Sequence, residues 1–132
     1  MINKCSDPKS EIHWKWRLEM AENIARNTDL DRFGLAGIYI MGSTKNATAG
    51  PCSDIDLLIY SKGTKKQIDE LKIWIEGWSL CLAEINYNFT EYKIQNGLID
   101  LHIITDEDIK NKTSYAIKIN AVTDAARALK IK

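Results

Sequence analysis

Three short apolar runs leave this chain few ways to fold. Residues 35–41 (Leu-Ala-Gly-Ile-Tyr-Ile-Met), 54–60 (Asp-Ile-Asp-Leu-Leu-Ile-Tyr) and 98–105 (Leu-Ile-Asp-Leu-His-Ile-Ile-Thr) are too short for stable helices and rich in β-forming residues. Glycine or turn-forming residues bound them, so each predicts a strand. Between the second and third lies one helical stripe. Thr64 and Gln67 fit a capping box, and Ile68, Leu71, Ile75, Trp78, Leu82 and Ile85 then recur at steps of three and four to about residue 86. A long helix crossing over the sheet is the simplest account. Gly77 is where it would kink or break, since glycine costs about 1 kcal/mol relative to alanine.

The flanks are less regular. A first helix starting near Asp7 or Ser10 and ending by about Asn27 would bury Trp14, Leu18, Ala21 and Ala25. Trp14 and Trp16 are about 200° apart on such a helix, so one of them marks a contact surface. Residues 86–94 read as loop or strand; if strand, Asn96-Gly97 supplies a hairpin turn. Thr105 can cap a short turn through Asp108. In the tail, Tyr115, Ile117 and Ile119 alternate like a strand, while Val122, Ala125, Ala126 and Leu129 have helical spacing. A terminal helix from about Val122 is the favoured reading. The order of elements describes an α/β (α+β) fold, and 132 residues suit a single domain, 1–132, with its core at about 35–105.

Charge and cysteine usage narrow the function. Lysine plus arginine equal aspartate plus glutamate at 18 each, so no global basic field argues for sequence-independent nucleic-acid binding. Cys5, Cys52 and Cys81 are odd in number and lack metal-type spacing, which favours a reducing compartment over a disulfide framework. No run approaches the ~20 apolar residues a membrane span needs. A cytoplasmic protein is expected.

The chemistry concentrates between residues 42 and 56. Asp54 and Asp56 are two apart on a predicted strand, so both carboxylates project from one face about 6.6 Å apart, with Ile55, Leu57 and Ile59 opposite. Like charges this close repel, and a cation such as Mg²⁺ removes the cost. Asp100 and His102 alternate with Ile99, Leu101 and Ile103, which leaves an aspartate mid-strand among apolar neighbours. If its strand lies beside that of Asp54, three carboxylates converge, enough for one or two divalent ions around a phosphoryl group. Gly42 lets a backbone approach phosphates closely; Ser43, Thr44 and nearby N–H groups can donate to their oxygens; Lys45 is the nearest cation.

Gly-Ser, ten residues, Asp-Ile-Asp, then a later strand with a single aspartate: this pattern resembles the polymerase-β-type nucleotidyltransferases, in particular their small stand-alone minimal domains, over roughly residues 35 to 105. The resemblance implies a short mixed sheet backed by helices. It also implies that Asp54 and Asp56 bind Mg²⁺, that Asp100 completes the metal site or acts as base, and that Gly42 and Ser43 hold a nucleoside triphosphate. Many small members carry Ala-Arg-Gly after Gly-Ser-x, where this chain has Lys45-Asn46-Ala47. The arginine's role then falls to Lys45.

The expected activity is Mg²⁺-dependent transfer of a nucleoside monophosphate from a nucleoside triphosphate to a hydroxyl on a protein, small molecule or RNA. A second copy or a helical partner protein would build the acceptor site. The alternative is a non-catalytic nucleotide-binding or antitoxin-like module. His102 could orient a carboxylate, but a histidine satisfied by a backbone carbonyl is the commoner case. Trp74 and Trp78, four apart on a helix, read as packing rather than as a base-stacking pair. His13 reads as surface, and Cys52 as incidental.

Overall fold

The computed structural model describes residues 11–112, 114–118 and 125–131. The expected first-helix start at Asp7 or Ser10 lies outside them. Helix α1 covers Ile12–Asn27, α2 Leu30–Phe33, β1 Leu35–Met41 and α3 Gly42–Lys45. Then come β2 (Ile55–Ser61), α4 (Lys65–Thr90), β3 (Ile99–Ile104) and α5 (Asp106–Asn111). A 3-10 turn, Ser114–Lys118, and a two-residue strand β4, Arg127–Ala128, complete the described chain.

The sheet has the order β3-β2-β1-β4. Strand β1 pairs antiparallel with β2 and with β4, while β2 and β3 run parallel, so the sheet is mixed. A parallel pair needs a crossover, and α4 provides it. Its Thr64/Gln67 capping box forms as expected, and the helix passes Gly77 unbroken; a Cβ there would meet nothing within 4 Å, so no close packing calls for the glycine. It also absorbs residues 86–90, which the sequence left open.

One face of the sheet is the main core. Ile38, Ile40, Ile55, Leu57 and Ile59 pack there against Ala21, Ile24 and Ala25 of α1 and Leu71, Ile75 and Leu82 of α4. Burying each of the isoleucine and leucine side chains contributes roughly 1.5–3 kcal/mol. Trp74 meets Phe33 and Trp78 with ring centroids 6.4 and 6.1 Å apart, and its Nε1–H donates to Thr28 Oγ1 at 3.0 Å, so the pair is packing. The opposite face carries a smaller cluster of Met41, Leu58, Ile104 and Ala116.

Two expectations fail at the flanks. Helix α1 buries His13, Arg17, Ala21, Ile24 and Ala25, a face rotated from the one through Trp14 and Leu18; an arginine on the inner stripe disguises its phase. His13 is therefore buried at 8 % exposure, not on the surface. The tail is not helical where it is described: Arg127 and Ala128 pair with Ile40 and Tyr39, and Leu129 N–H donates to Ile38 O at 2.8 Å. The outer edge of β1 offers unpaired backbone groups, and satisfying them overrides the local helical spacing. Val122 itself lies outside the described residues.

Residues 96–97 make no hairpin. Gly97 is buried with φ 88°, and a Cβ on it would collide with Ser79 of α4. Ser79 accepts from Ile99 N–H at 2.9 Å through Oγ and from Leu98 N–H at 3.0 Å through its carbonyl. Helix α4 thereby sets the start of β3. Ser79→Ala should leave the Ile99 N–H unsatisfied and cost about 1–3 kcal/mol in urea denaturation.

Candidate active site

The parallel register pairs Asp56 with Asp100 directly across β2 and β3. Strands lie about 4.8 Å apart, so two carboxylates on one face must meet. They do, and His102 joins them: one ligand atom each from Asp56, Asp100 and His102 lies within 4.8 Å of the others. His102 Nε2 is 3.2 Å from Asp100 Oδ2. Its ring packs at a tilt against Tyr115 of the 3-10 turn, centroids 4.0 Å apart. The histidine expected to satisfy a backbone carbonyl instead faces a carboxylate, that of Asp100 two residues before it on the same face of β3; strand pairing adds Asp56.

Asp56 feels the crowding most. Burial, a hydrogen bond shared with Asp100 and the charge of Asp100 push its pKa up to about 6. Burial and Asp100 also raise Asp54, against the opposing pull of Arg17. Asp54 is exposed and sits one residue before β2, at the edge of the cluster. Two carboxylates that resist ionising, with an imidazole beside them, are a donor set for a divalent cation, whose charge would relieve the repulsion. The residues present fit such an ion.

Gly42 lies against the Asp56 carboxylate. Its φ is 68°, in the left-handed region, and a Cβ would fall on the Asp56 carboxylate. The turn that follows is tight, with Asn46 N–H donating to Gly42 O at 3.0 Å and Thr48 N–H to Ser43 O at 2.8 Å. Ser43 is half-buried beside the cluster's strand. Thr44 is only 1 % exposed, and its Oγ1 has no hydrogen-bond partner among the described residues. Lys45 Nζ donates to Ala125 O at 2.6 Å, which ties the ammonium to the C-terminal segment.

On the far side of the carboxylates, a polar hollow of about 680 Å³ is bounded by Asp54, Asp100, Tyr92, Lys93, Gln95 and Asn96. The loop between α4 and β3 forms most of it, a contribution the sequence did not signal. Cys52, at its rim, is disulfide-bonded, and Cys81 is free and exposed. That departs from the expectation of unpaired cysteines; an odd count cannot exclude one pairing, which needs only two thiols within reach.

The unforeseen residue is Arg17. It is completely buried, and its guanidinium reaches the loop ahead of Asp54: Nε donates to Ser53 O at 2.9 Å and Nη2 to Pro51 O at 3.2 Å and Asn86 Oδ1 at 3.0 Å. Burial lowers its pKa to about 10, opposed by Asp54, so it stays charged at neutral pH. Its four-residue spacing to Ala21 and Ala25 is the signal that it shares their inward stripe.

Among the described residues no helix is long and apolar enough to cross a membrane. The family model described as a nucleotidyltransferase domain matches residues 25–106. No curated protein and no solved structure matches the chain.

The raised pKa of Asp56 makes the cation-free fold pH-sensitive. The folded state holds this proton more tightly than the unfolded chain, so the associated stability is complete below about pH 4 and is lost as pH rises through about 6. Melting temperature without divalent cations should fall across that window. Asp56→Asn should flatten the fall, and added Mg²⁺ should stabilise the native chain most above pH 6.

Proposed function

The chain belongs to the nucleotidyltransferase domain family, and on that premise we propose that it moves a nucleoside monophosphate from a nucleoside triphosphate to a hydroxyl acceptor, releasing pyrophosphate. The observation that carries this reading is the in-register pair Asp56 and Asp100, with the Asp56 carboxylate against Gly42. It supports a cation site and a phosphate-binding turn lying side by side.

Asp54, Asp56 and Asp100 would hold Mg²⁺, with His102 orienting Asp100. When bound, the cation supplies charge neutralisation at the phosphoryl oxygens. The backbone at Gly42 and the N–H and hydroxyl of Ser43 would bind the triphosphate. Thr44 would contribute through its backbone, and Lys45 stands behind the turn on the Ala125 carbonyl. In the reaction the acceptor oxygen bonds to the α-phosphorus while the bridging bond to the β-phosphate breaks. Asp100 accepts the hydroxyl proton.

An in-line displacement sets nucleophile and leaving group on opposite sides of phosphorus. With the leaving pyrophosphate on the Gly42 side, the acceptor enters from the β3 side, where the polar hollow borders Asp54 and Asp100. At about 680 Å³ it has the size of a small-molecule site. A hydroxyl compound, or the hydroxyl side chain of a protein, would occupy it.

The second reading, a module that binds nucleotide without turning it over, draws on Lys45, whose engagement with Ala125 leaves the loop's missing arginine without a direct substitute. Labelled ATP, GTP, CTP and UTP with Mg²⁺ and fractionated lysate separate the two. Pyrophosphate release that falls about a hundredfold or more in Asp56→Asn is the expected result, and binding without release in every fraction would replace the enzyme by the module. Chelating Mg²⁺ should weaken nucleotide binding in the native chain, and Asp54→Asn should reproduce that weakening in calorimetry.

A further inference from the structure

Asp54 differs from the other two carboxylates in what holds it. Asp56 and Asp100 stand within the β2–β3 ladder, opposite one another. Asp54 precedes the ladder, whose first link is Ile55 N–H to Leu98 O at 2.7 Å. Its position therefore depends on the loop before it. Within that loop Gly50 and Ser53 close a turn, with Ser53 N–H donating to Gly50 O at 3.1 Å and Gly50 N–H to Ser53 Oγ at 2.9 Å. The carbonyls of Pro51 and Ser53 remain, and Arg17 takes both.

Burying a guanidinium completely carries a large desolvation cost, and an apolar residue of similar size would serve α1 packing as well or better. The cost is met here by directed bonds. Besides its two loop contacts, Arg17 donates through Nη1 to His13 O at 3.3 Å and through Nη2 to Asn86 Oδ1. Asn86, also fully buried, donates its own Nδ2–H to Pro51 O at 2.9 Å. One carbonyl thus receives donors from α1 and from α4. The Ser53 carbonyl belongs to the peptide unit whose nitrogen is that of Asp54, so the 2.9 Å bond from Nε fixes the plane from which Asp54 departs. Helix α4 also seats the start of β3 through Ser79, so Asn86 and Ser79 refer both sides of the carboxylate cluster to one rigid element.

We propose that Arg17 is a positioning residue for the reaction, its buried guanidinium clamping the Pro51 and Ser53 carbonyls, with Asn86, so that Asp54 is presented beside Asp56 and Asp100. It touches neither substrate nor cation and acts through Asp54. The catalytic part of this role rests on the nucleotidyl-transfer reading above, whereas the geometric part does not. A lysine, with one ammonium in place of a planar fork, cannot reproduce the clamp.

The test compares the native chain with Arg17→Lys, Arg17→Gly and Asn86→Ala, using Mn²⁺ binding by electron paramagnetic resonance, nucleotide KM, kcat and circular dichroism. Assayed at Mg²⁺ concentrations that saturate the variant, Arg17→Lys should keep the native spectrum and hold nucleotide KM within about threefold. Its kcat and Mn²⁺ affinity should each fall about 10- to 100-fold, the scale for groups that orient metal ligands. Adding guanidinium ion at millimolar concentration to Arg17→Gly should restore part of both. Asn86→Ala should show a smaller loss in the same direction and decides the matter if the Arg17 variants do not fold. A folded Arg17→Lys with kcat and Mn²⁺ affinity within twofold of native overturns the proposal, as does an Asn86→Ala variant unchanged in both. If the native chain itself transfers nothing, the transfer reading fails alone, and Mn²⁺ affinity in the same variants still upholds or overturns the clamp.

Discussion

Parallel pairing of β2 with β3 is the constraint on which the rest depends. The register sets Asp56 opposite Asp100 on the face away from α1 and α4. Two carboxylates at strand spacing cannot both ionise cheaply, and partial burial raises the cost further. The strands pay for this on their other face, where Ile55, Leu57 and Ile59 are fully buried. A strongly stabilised apolar face thus holds a destabilised polar one in place, and the unfavourable electrostatics become available for binding a cation.

The parallel arrangement in turn requires α4. A 26-residue helix is the crossover that lets β3 return alongside β2 in the same direction. It does more than connect: Ser79 grips the first residues of β3 and Asn86 grips the loop ahead of β2. Gly97 serves the same junction, since a side chain there would occupy the space of Ser79. Gly42 is its counterpart across the site, where the missing side chain leaves room for the Asp56 carboxylate. Glycine appears at both points because backbone and polar group come closer than a Cβ permits.

Much of this was legible in the sequence, and the legible parts share a cause. Residues 35–41, the capping box at Thr64 and Gln67, and the alternation of Asp100 and His102 with apolar residues are local patterns, set by period and by neighbours a few positions away. What the sequence left unread or misread shares the opposite cause. The sequence does not single out Arg17, because its role depends on the carbonyls of residues 51 and 53 that satisfy it. The segment around Arg127 has helical spacing until the edge of β1 recruits it. Lys45 lies beside the phosphate-type turn in sequence, yet its ammonium is taken by a carbonyl 80 residues away.

By itself the sequence determined the strands and the crossover helix, because hydrophobic period and capping chemistry act over a few residues. It also determined which carboxylates could share a face, because side chains alternate along a strand. Only the tertiary structure decided that β3 lies beside β2 and in what register, that His102 rather than Asp54 stands closest to Asp56 and Asp100, and that Arg17 reaches the loop. Those outcomes depend on unpaired backbone groups and buried charges finding partners far away in the chain, and no local pattern records which partner will be near.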